Sequence, residues 1–354
     1  MPSYSRTATG GGIIGPPMSD LVVSRPEGLY CPPGGFYIDP WRPVDRAVLT
    51  HAHGDHARPG SARYLASRDA ERVLRTRLGA DIALDAISYG ERVVHQGVAI
   101  SLHPAGHVLG SAQVRLEHEG RVWVVSGDYK IDPDPTCAPF EAVRCDVFVT
   151  ESTFGLPIYR WQPPHEIFAD IAAWWRGNAA AARTSLLYGY AFGKAQRILA
   201  GVRDAGARDV GPIVCHGAVE VLNDAYRATG VALPPTHRVD DVAKADLKRA
   251  LVLAPPSAAG TPWLRRFGDA SDAFASGWMR LRGARRRRVL DRGFALSDHA
   301  DWPGLMSAIL STGARRVIVT HGNVPIMVRH LAELGYEAGA FATEYDEDAA
   351  EAGA

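Results

Sequence analysis

Residues 47–60 constrain the fold of this chain more than any other stretch of its sequence. They read AVLTHAHGDHARPG, and the apolar start predicts the end of a buried strand. Gly54 indicates a tight turn directly after that strand. Four ligand-type side chains in so short a run favour a loop around a pair of cations, with a solvated histidine-rich loop as the alternative. The predicted ligands in this loop are His51, His53, Asp55 and His56.

The ligand types indicate which ions such a loop would hold. Imidazole nitrogens and a carboxylate select zinc-like or manganese-like cations, and positions stay open for water because no cysteine completes the coordination. The cysteines stand far apart without a CxxC pair, which argues against a disulfide framework and against a thiolate zinc site. They are Cys31, Cys137, Cys145 and Cys215.

Further ligand candidates follow predicted strands downstream. His107 comes after a small-residue turn in SLHPAGHVLGSAQVRLE, whereas its neighbour His103 lies inside the predicted strand. Asp128 follows the apolar strand of RVWVVSGDYK, where one carboxylate can bridge two cations. We therefore predict that His107 and Asp128 join the ligands of the loop.

Three more residues with suitable chemistry stand at the ends of predicted strands. Glu151 ends the strand of DVFVTESTFG, with a solvated strand end as the alternative to a role at the metal edge of the sheet. His299 follows a strand in RGFALSDHADWPGL, and His321 follows another in RRVIVTHGNVPIM.

Residues 156–293 differ in character from the rest of the chain. Helix-like and strand-like patterns alternate there, which predicts a small α/β domain with a mainly parallel sheet. Because the metal-site pattern resumes after residue 293, we interpret this region as an insertion. The predicted helices cover 169–176 and 193–205, and the predicted strands cover 185–190, 211–216 and 249–254.

Charge is distributed unevenly, although the formal net charge of the 354 residues is zero. The insertion carries 21 Lys and Arg against 12 Asp and Glu, whereas the rest of the chain carries 18 against 27. A basic region beside an acidic, ligand-rich region indicates a surface that holds a polyanion next to a cation site, with accidental clustering as the alternative.

Two pieces of the insertion are predicted to contact phosphate. GYAFGKAQRIL places Lys194 and backbone amides at the start of a helix. FASGWMRLRGARRRR combines arginine with an aromatic residue, which suits the charge and bases of a single strand, although a solvated basic face is the alternative. The candidate contacts in this second piece are Ser276, Arg280, Arg282, Arg285, Arg286, Arg287 and Arg288.

The remaining segments bear on location and order. No apolar run approaches the ~20 residues of a membrane span, and the first residues lack a secretory pattern, so we expect no membrane contact and a cytoplasmic protein. Residues 1–20 are rich in Gly, Pro and Ser and predict a flexible arm, and residues 343–354 predict a disordered acidic tail.

Seven motifs stand in a fixed order along the chain: HAHGDH, PAGHVLGS, SGDYK, TESTFG, GKAQ, SDHAD and VTHGN. The series resembles that of the β-CASP branch of metallo-β-lactamase-fold nucleases, and the chain looks most like the bacterial DNA ligase-associated exonucleases over about residues 28–340. The resemblance implies an α/β fold, in which a metallo-β-lactamase αββα sandwich at 21–155 and 294–342 carries a small α/β β-CASP domain inserted at 156–293.

The same resemblance implies cofactors and partners. The cofactors would be two divalent metal ions, zinc or manganese. The partner would be DNA, single-stranded or with a free end, in functional association with an ATP-dependent DNA ligase and a helicase. Carried over residue by residue, one metal would bind His51, His53 and His107, the other would bind Asp55, His56 and His321, and Asp128 would be shared.

Three residues outside this ligand set also match the family pattern. Glu151 and His299 look like a hydrogen-bonded pair near the scissile phosphate, where His299 would protonate the leaving oxygen if Glu151 favours its charged form. Asp39, at the end of GFYID, resembles an aspartate that braces the ligand loop, with a turn start as the alternative. The reacting groups we predict are Asp55, Asp128, Glu151 and His299.

The expected activity is a two-metal DNA exonuclease, and 5′→3′ is the common direction in the branch. The last motif does not distinguish DNA from RNA as the substrate. The eukaryotic cross-link repair nucleases carry valine at this position, whereas this chain has His321, and the RNA-processing members also carry histidine. The alternatives are a ribonuclease of the messenger RNA 3′-end-processing type, a hydrolase of small esters, thioesters or lactams, and a module that recruits a ligase or helicase without cutting.

Overall fold

The computed structural model describes residues 20–281 and 290–344. The predicted arm up to residue 19, Arg282, the run Arg285–Arg288 and the predicted tail beyond residue 344 lie outside the described residues.

Strands dominate the described chain up to Ser152, and helices are frequent after it. The first strands are β1 Val23–Arg25, β2 Gly28–Cys31, β3 Phe36–Ile38, β4 Arg46–Val48, β5 Arg63–Ser67, β6 Leu84–Ile87, β7 Arg92–His95, β8 Val98–Pro104, β9 Ala112–His118, β10 Arg121–Val125 and β11 Val147–Ser152. The later strands are β12 Thr184–Tyr188, β13 Ile213–Cys215, β14 Leu251–Ala254, β15 Ala270–Ala275, β16 Arg292–Phe294, β17 Arg316–Gly322 and β18 Glu337–Ala340. The α-helices are α1 Glu71–Leu78, α2 Pro164–Ala180, α3 Lys194–Asp204, α4 Gly217–Ala228, α5 Lys244–Leu247, α6 Trp302–Thr312 and α7 Val324–Glu333.

Within the described residues the strands form three sheets in a mixed α/β arrangement. The first sheet runs from β1 to β6 in sequential order, antiparallel up to β3 and parallel from β3 to β6. The predicted buried strand before the ligand loop is present as β4, which ends at Val48. The loop therefore starts at the carboxyl end of a central strand.

The second sheet has the order β18-β17-β11-β10-β9-β8-β7. Its strands β10, β11, β17 and β18 are parallel to one another. The carboxyl ends of parallel strands share one edge of a sheet. Asp128 follows β10, Glu151 lies near the end of β11, and His321 lies near the end of β17, so these three residues meet at that edge.

The third sheet, with the order β13-β14-β12-β15-β16, is built from the region predicted to be an insertion, which we continue to call the insertion. All of its strand pairs are parallel, as the alternating pattern predicted. Helices α2 and α3 occupy the two predicted helical ranges, whereas α4 was not predicted. Strand β16 ends at Phe294, one residue beyond the predicted end of the insertion, because it pairs with β15.

Apolar clusters hold these layers together. One cluster joins the facing sides of the first two sheets, and it includes Ile38, Val48, Leu102, Val114 and Val149. A second cluster covers the opposite side of the second sheet with helices α6 and α7, and it includes Phe148, Val317, Leu305, Ile309 and Met327.

The third cluster joins the insertion to the other side of the first sheet. It contains Leu49 and Tyr64 from the sheet region, Leu74 from α1, and Ile198 and Tyr226 from α3 and α4. Burial of these side chains provides the main driving force for their association. The insertion is thereby packed beside the ligand loop. None of the helices in the described ranges is long and apolar enough to span a membrane.

Candidate metal centre

The ligand loop is a tight turn that brings its polar side chains together. The backbone amides of His56 and Ala57 both donate to the carbonyl of His53, at 3.2 and 2.8 Å. His51 and Asp55 are buried in the same turn. Ligand atoms of His51, His53, His107 and Asp128 all lie within 4.8 Å of one another.

Asp128 stands between two groups of predicted ligands. Its Oδ2 lies 3.4 Å from Nε2 of His51 and 3.7 Å from Nε2 of His107. The same oxygen lies 3.6 Å from Nε2 of His56, and its Oδ1 lies 3.1 Å from Nε2 of His321. One carboxylate therefore contacts histidines of both groups.

Asp39 connects the first sheet to this loop. Its Oδ1 accepts a hydrogen bond from the backbone amide of Thr50 at 2.7 Å, and its Oδ2 accepts one from the Thr50 hydroxyl. The same Oδ2 lies 2.7 Å from Nδ1 of His56. These contacts hold the start of the loop and the orientation of the His56 ring.

The hydrogen bonds of two histidines show which of their nitrogens face the cluster. Nδ1 of His107 lies 2.9 Å from the carbonyl of Asp298, and Nε2 of His53 lies 3.3 Å from the carbonyl of Phe192. Because a carbonyl only accepts, these nitrogens carry the protons. The two remaining nitrogens then approach each other to 3.0 Å with lone pairs facing. A shared cation would relieve this contact.

The protonation states of two histidines in the cluster also suit a metal, whereas a third, His56, would have to lose a proton to bind one. Burial opposes the charged form of His56, but Asp55 and Asp128 raise its pKa to about 10. Burial and the neighbouring His107 lower the pKa of His53 to about 3, and burial and the neighbouring His299 lower the pKa of His107 to about 4. Both rings are therefore neutral at pH 7, as a ligand must be. Burial opposes ionisation of Asp128, but the cationic histidines His56 and His299 hold its pKa well below its usual value.

Unsatisfied polar atoms point to the same place. Among the described residues, Nε2 of His51 and Oδ1 of Asp55 are buried and make no hydrogen bond. Leaving such an atom unpaired costs about 1–3 kcal/mol. Imidazole nitrogens and carboxylate oxygens are ligands for divalent cations. The residues present therefore fit a divalent metal centre.

Glu151 and His299 form the predicted pair beside this centre. Nδ1 of His299 lies 3.0 Å from Oε2 and 3.2 Å from Oε1 of Glu151. The backbone amide of Tyr129 donates to Oε1 at 2.7 Å and fixes the carboxylate. Burial opposes the charged form of His299, but Glu151 and Asp128 raise its pKa to about 9. The ring of His299 lies 4.6 Å from that of His107.

A narrow cavity leads to the centre. Its volume of about 40 Å³ leaves room for a few water-sized groups. Trp161 and Trp278 pack around Phe154 beside this cavity, and the indole of Trp161 donates to the carbonyl of His299 at 3.0 Å. The residues that line the cavity include His53, Asp55, His107, Asp128, Lys194, Ser276, Trp278, His299 and His321.

Lys194 differs from its predicted role at a phosphate. Its ammonium is buried, lies 2.8 Å from Oδ2 of Asp298, and donates to the carbonyl of Leu296 at 2.8 Å. Three helix-start amides are also occupied. The amide of Gly193 donates to Oε1 of Gln196 at 2.8 Å, and those of Lys194 and Ala195 donate to the carbonyls of Phe192 and Tyr190 at 3.1 Å each. In this described segment the ammonium and three helix-start amides are therefore engaged by side chains and carbonyls of the chain itself, and a phosphate contact of Lys194 stays a prediction.

The second predicted phosphate segment is described only in part. Ser276 is buried and its hydroxyl accepts from the amide of Trp278 at 3.3 Å, which caps the short 3₁₀-helix Gly277–Arg280. Arg280 is exposed beside the cavity-lining turn. Arg282 and Arg285–Arg288 lie outside the described residues.

Some residues that shape the centre were not identified from the sequence. Asp298 precedes His299 in SDHAD, and Arg197 follows Lys194 by three residues on α3, yet neither carried a signal for a specific partner. Trp161 was also missed, because nothing in the pattern around it indicates a contact with His299.

No protein-family model matches the chain. A protein of Opitutus terrae named "Probable DNA ligase" is 30% identical over 320 residues, which cover 90% of this chain and 31% of the relative. An RNase J-like protein of Methanocaldococcus jannaschii is 28% identical over 138 residues, which cover 32% of this chain and 33% of the relative.

Shorter matches lead to proteins named for RNA processing. Cleavage and polyadenylation specificity factor subunit 3 of Dictyostelium discoideum is 31% identical over 78 residues, 22% of this chain and 10% of the relative. The chain thus spans a third or less of the length of these curated relatives.

A solved structure of an Enterococcus faecalis V583 protein of unknown function matches with a TM-score of 0.56 at 11% identity, covering 85% of this chain and 80% of that one. Identity this low shows a shared fold alone. The chain is therefore similar in sequence to relatives named for DNA ligation and for RNA processing, and it carries a buried histidine–aspartate cluster that could hold a metal ion.

Proposed function

We propose that this chain is a two-metal phosphodiester hydrolase that acts as a DNA exonuclease on single-stranded or free ends. The fold would be a metallo-β-lactamase αββα sandwich with the β-CASP domain inserted at residues 156–293. The contact of one carboxylate, that of Asp128, with histidines of both predicted ligand groups carries the proposal. Zinc or manganese would fill the sites.

The ligands would divide as follows. One cation would be held by His51, His53 and His107, the other by Asp55, His56 and His321, and both by Asp128. When bound, the cations would lower the pKa of a water and neutralise charge on the phosphoryl oxygens.

His299 would act as the proton donor in this reaction. Glu151 holds the ring of His299 and favours the protonated form of that ring. The His299 side chain is 22% exposed and lines the cavity. A protonated imidazole at this position can give its proton to the leaving oxygen. Asp55 and Asp128 would orient the reacting centre through the same ligand shell.

DNA as the substrate rests on the family resemblance and on a named relative. The relative that covers 90% of this chain is named a DNA ligase, which supports functional association with an ATP-dependent ligase, and with a helicase, in end processing. The 5′→3′ direction of digestion is proposed only because it is common among the β-CASP nucleases that the chain resembles. RNA is the second candidate, because several relatives are named as RNA-processing proteins and because His321 contacts Asp128.

Digestion of end-labelled DNA and matched RNA with zinc, manganese or magnesium tests the proposal. We expect stepwise shortening of single-stranded DNA that is lost in Asp128→Ala, and the label that is released first reports the direction. Cleavage of RNA alone would move the chain to the RNA-processing members. Absence of cleavage of both polymers would contradict a nuclease.

The proton-donor role makes a separate prediction. We expect His299→Ala to keep the bound metal and to lower turnover by about a hundredfold or more, the usual size of a general-acid contribution. His103→Ala is the matched control, because His103 lies on β8 and contacts Ser101 and Glu141 instead of the cluster. It should retain both metal and turnover. Full activity of His299→Ala would exclude the role.

A further inference from the structure

Helix α3 of the insertion carries two cations that are almost completely buried. Nζ of Lys194 lies 2.8 Å from Oδ2 of Asp298, and a guanidinium nitrogen of Arg197 lies 3.3 Å from Oδ1 of the same aspartate. Nε of Arg197 also lies 3.2 Å from Oδ2 of Asp134. The side chains of Lys194, Arg197 and Asp298 are 3–4% exposed, so these charges face one another and not solvent.

The same two cations also bind backbone. Lys194 donates to the carbonyl of Leu296, and Arg197 donates to the carbonyl of Ser297, each at 2.8 Å. Three consecutive residues, from Leu296 to Asp298, are thereby held by one turn of α3. We call residues 296–299 the histidine loop, because it ends at His299.

The histidine loop in turn holds a ligand of the metal centre. The backbone carbonyl of Asp298 accepts the Nδ1 proton of His107 at 2.9 Å, although the two residues are 191 positions apart in the chain. This hydrogen bond leaves Nε2 of His107 facing Asp128 and His53. The path from the insertion to a ligand therefore consists of two contacts: α3 to the loop, and the loop to His107.

We infer that Lys194 and Arg197 are positioning residues for the metal centre, and that they fix the histidine loop so that it orients His107 and His299. The inference rests on the proposed function in that it takes His107 as a metal ligand. It gives the insertion a second role besides holding substrate, because a helix of the insertion helps to build the reactive centre.

Phosphate binding and fold stability account less well for the two buried cations. Lys194 lines the cavity, but its side chain is only 3% exposed and its ammonium already contacts Asp298 and Leu296, which leaves it poorly placed to bind phosphate. Fold stability alone does not explain the buried ion pairs well, because apolar residues of similar volume often stabilise a protein as much or more. A partner that orients a metal-bound histidine is worth about 10–100-fold in metal affinity.

Two variants and a control separate positioning from stability. Lys194→Met removes one buried cation, and the pair Lys194→Met with Asp298→Asn removes a cation and an anion together while keeping the backbone carbonyl of residue 298. The control is Arg227→Met on α4, because the hydrogen bonds of Arg227 go to Glu220, Thr236 and Pro234 within the insertion. The variants are made in the full chain, and thermal unfolding is recorded for each.

The first readout is zinc affinity, measured by competition with a chromophoric chelator. We expect a loss of tenfold or more in Lys194→Met and less than twofold in the control. The double variant should be more thermally stable than Lys194→Met but should not recover the zinc affinity of the wild type. If Lys194→Met does not fold, the double variant is compared with the wild type in its place. Recovery of affinity together with stability, or an equal loss in the control, would overturn the inference.

The second readout needs no metal. Nitrogen-15 spectra of histidine-labelled, metal-free protein report which ring nitrogen of His107 carries the proton, with His107→Gln used for assignment. We expect a single Nδ1-protonated form in the wild type and in Arg227→Met, and a mixture in the Lys194 variants. An unchanged His107 signal would overturn the inference. Wild-type protein that binds no zinc would contradict the proposed function, and the His107 signal would still test positioning.

Discussion

Individual histidines of the centre are oriented by contacts on the ring nitrogen that points away from it. Nδ1 of His56 contacts Asp39, Nδ1 of His107 contacts the Asp298 carbonyl, and Nδ1 of His51 lies 3.0 Å from the Thr50 hydroxyl. His53 has the reverse orientation, with Nε2 toward the carbonyl of Phe192. Such outer partners set both the tautomer and the ring direction, so they belong to the site as much as the ligand atoms do.

The His299–Glu151 pair predicts a pH dependence of stability in metal-free protein. The pKa of His299 rises from 6.5 to about 9 on folding. A raised pKa stabilises the fold fully below pH 6.5, and this contribution is lost as the pH rises through 9. We therefore expect His299→Asn to lower the free energy of unfolding more at acidic than at alkaline pH, measured by urea titration. The pH dependence of this loss should be smaller when His299→Asn is introduced into a Glu151→Gln protein. A loss in unfolding free energy that grows with pH would contradict the pairing of His299 with Glu151.

At the level of elements, short turns after strands decide where the ligands point. Gly127 precedes Asp128 at a φ of +57°, and a Cβ there would lie 2.5 Å from the Thr50 hydroxyl oxygen. Gly106 precedes His107 at a φ of +73°, and a Cβ there would lie 2.3 Å from the carbonyl of Lys130. Both turns need glycine for the backbone conformation and for the close approach of a neighbouring segment.

Gly106→Ala tests this dependence. Gly120→Ala is the matched control, because its φ of +75° is almost the same and no atom lies within 4 Å of the added Cβ. Both variants should lose about 1–2 kcal/mol of stability from the left-handed conformation. Gly106→Ala should lose more and should also bind less zinc, because the clash displaces His107. Equal effects in the two variants on stability and zinc content would show that close approach is unimportant.

At the scale of the whole molecule, the basic region 156–293 lies beside the acidic part that carries the candidate metal centre. Helices α3 and α4 pack against α1 and the first sheet, which brings the insertion to the edge that holds the ligands. Under the proposed function, the positive charge of this region would attract a polyanion toward the candidate metal centre. The same packing gives Lys194 and Arg197 access to the histidine loop.

Replacement of Arg285–Arg288 by serine tests the proposed contact with nucleic acid. Phosphate contacts by arginine release counterions, so we expect weaker binding of any single-stranded sequence and a flatter dependence of affinity on salt. Replacement of the same four residues by lysine keeps the charge and should keep most of the slope. Fluorescence anisotropy at several salt concentrations measures both. A slope that stays the same after the serine change would place the nucleic acid elsewhere.

The sequence by itself determined the chemistry of the centre and the local elements that carry it. Each ligand candidate lies within a few residues of the end of a predicted strand, so its position depends on strand and turn geometry alone. These candidates are His51, His53, Asp55, His56, His107 and Asp128. Such short-range geometry can be inferred from a single sequence because the backbone allows few conformations there.

Only the tertiary structure decided which partners the buried cations of α3 and the outer nitrogen of His107 take. Lys194 was expected at a phosphate, yet its ammonium contacts the carbonyl of Leu296, 102 positions away, and the carboxylate of Asp298. The hydrogen bond from His107 to Asp298 spans 191 positions. A buried charge takes the partner that packing brings to it, and that choice depends on how the sheets and the insertion fit together. No local pattern encodes it, since burial and distance arise only when the whole chain is folded.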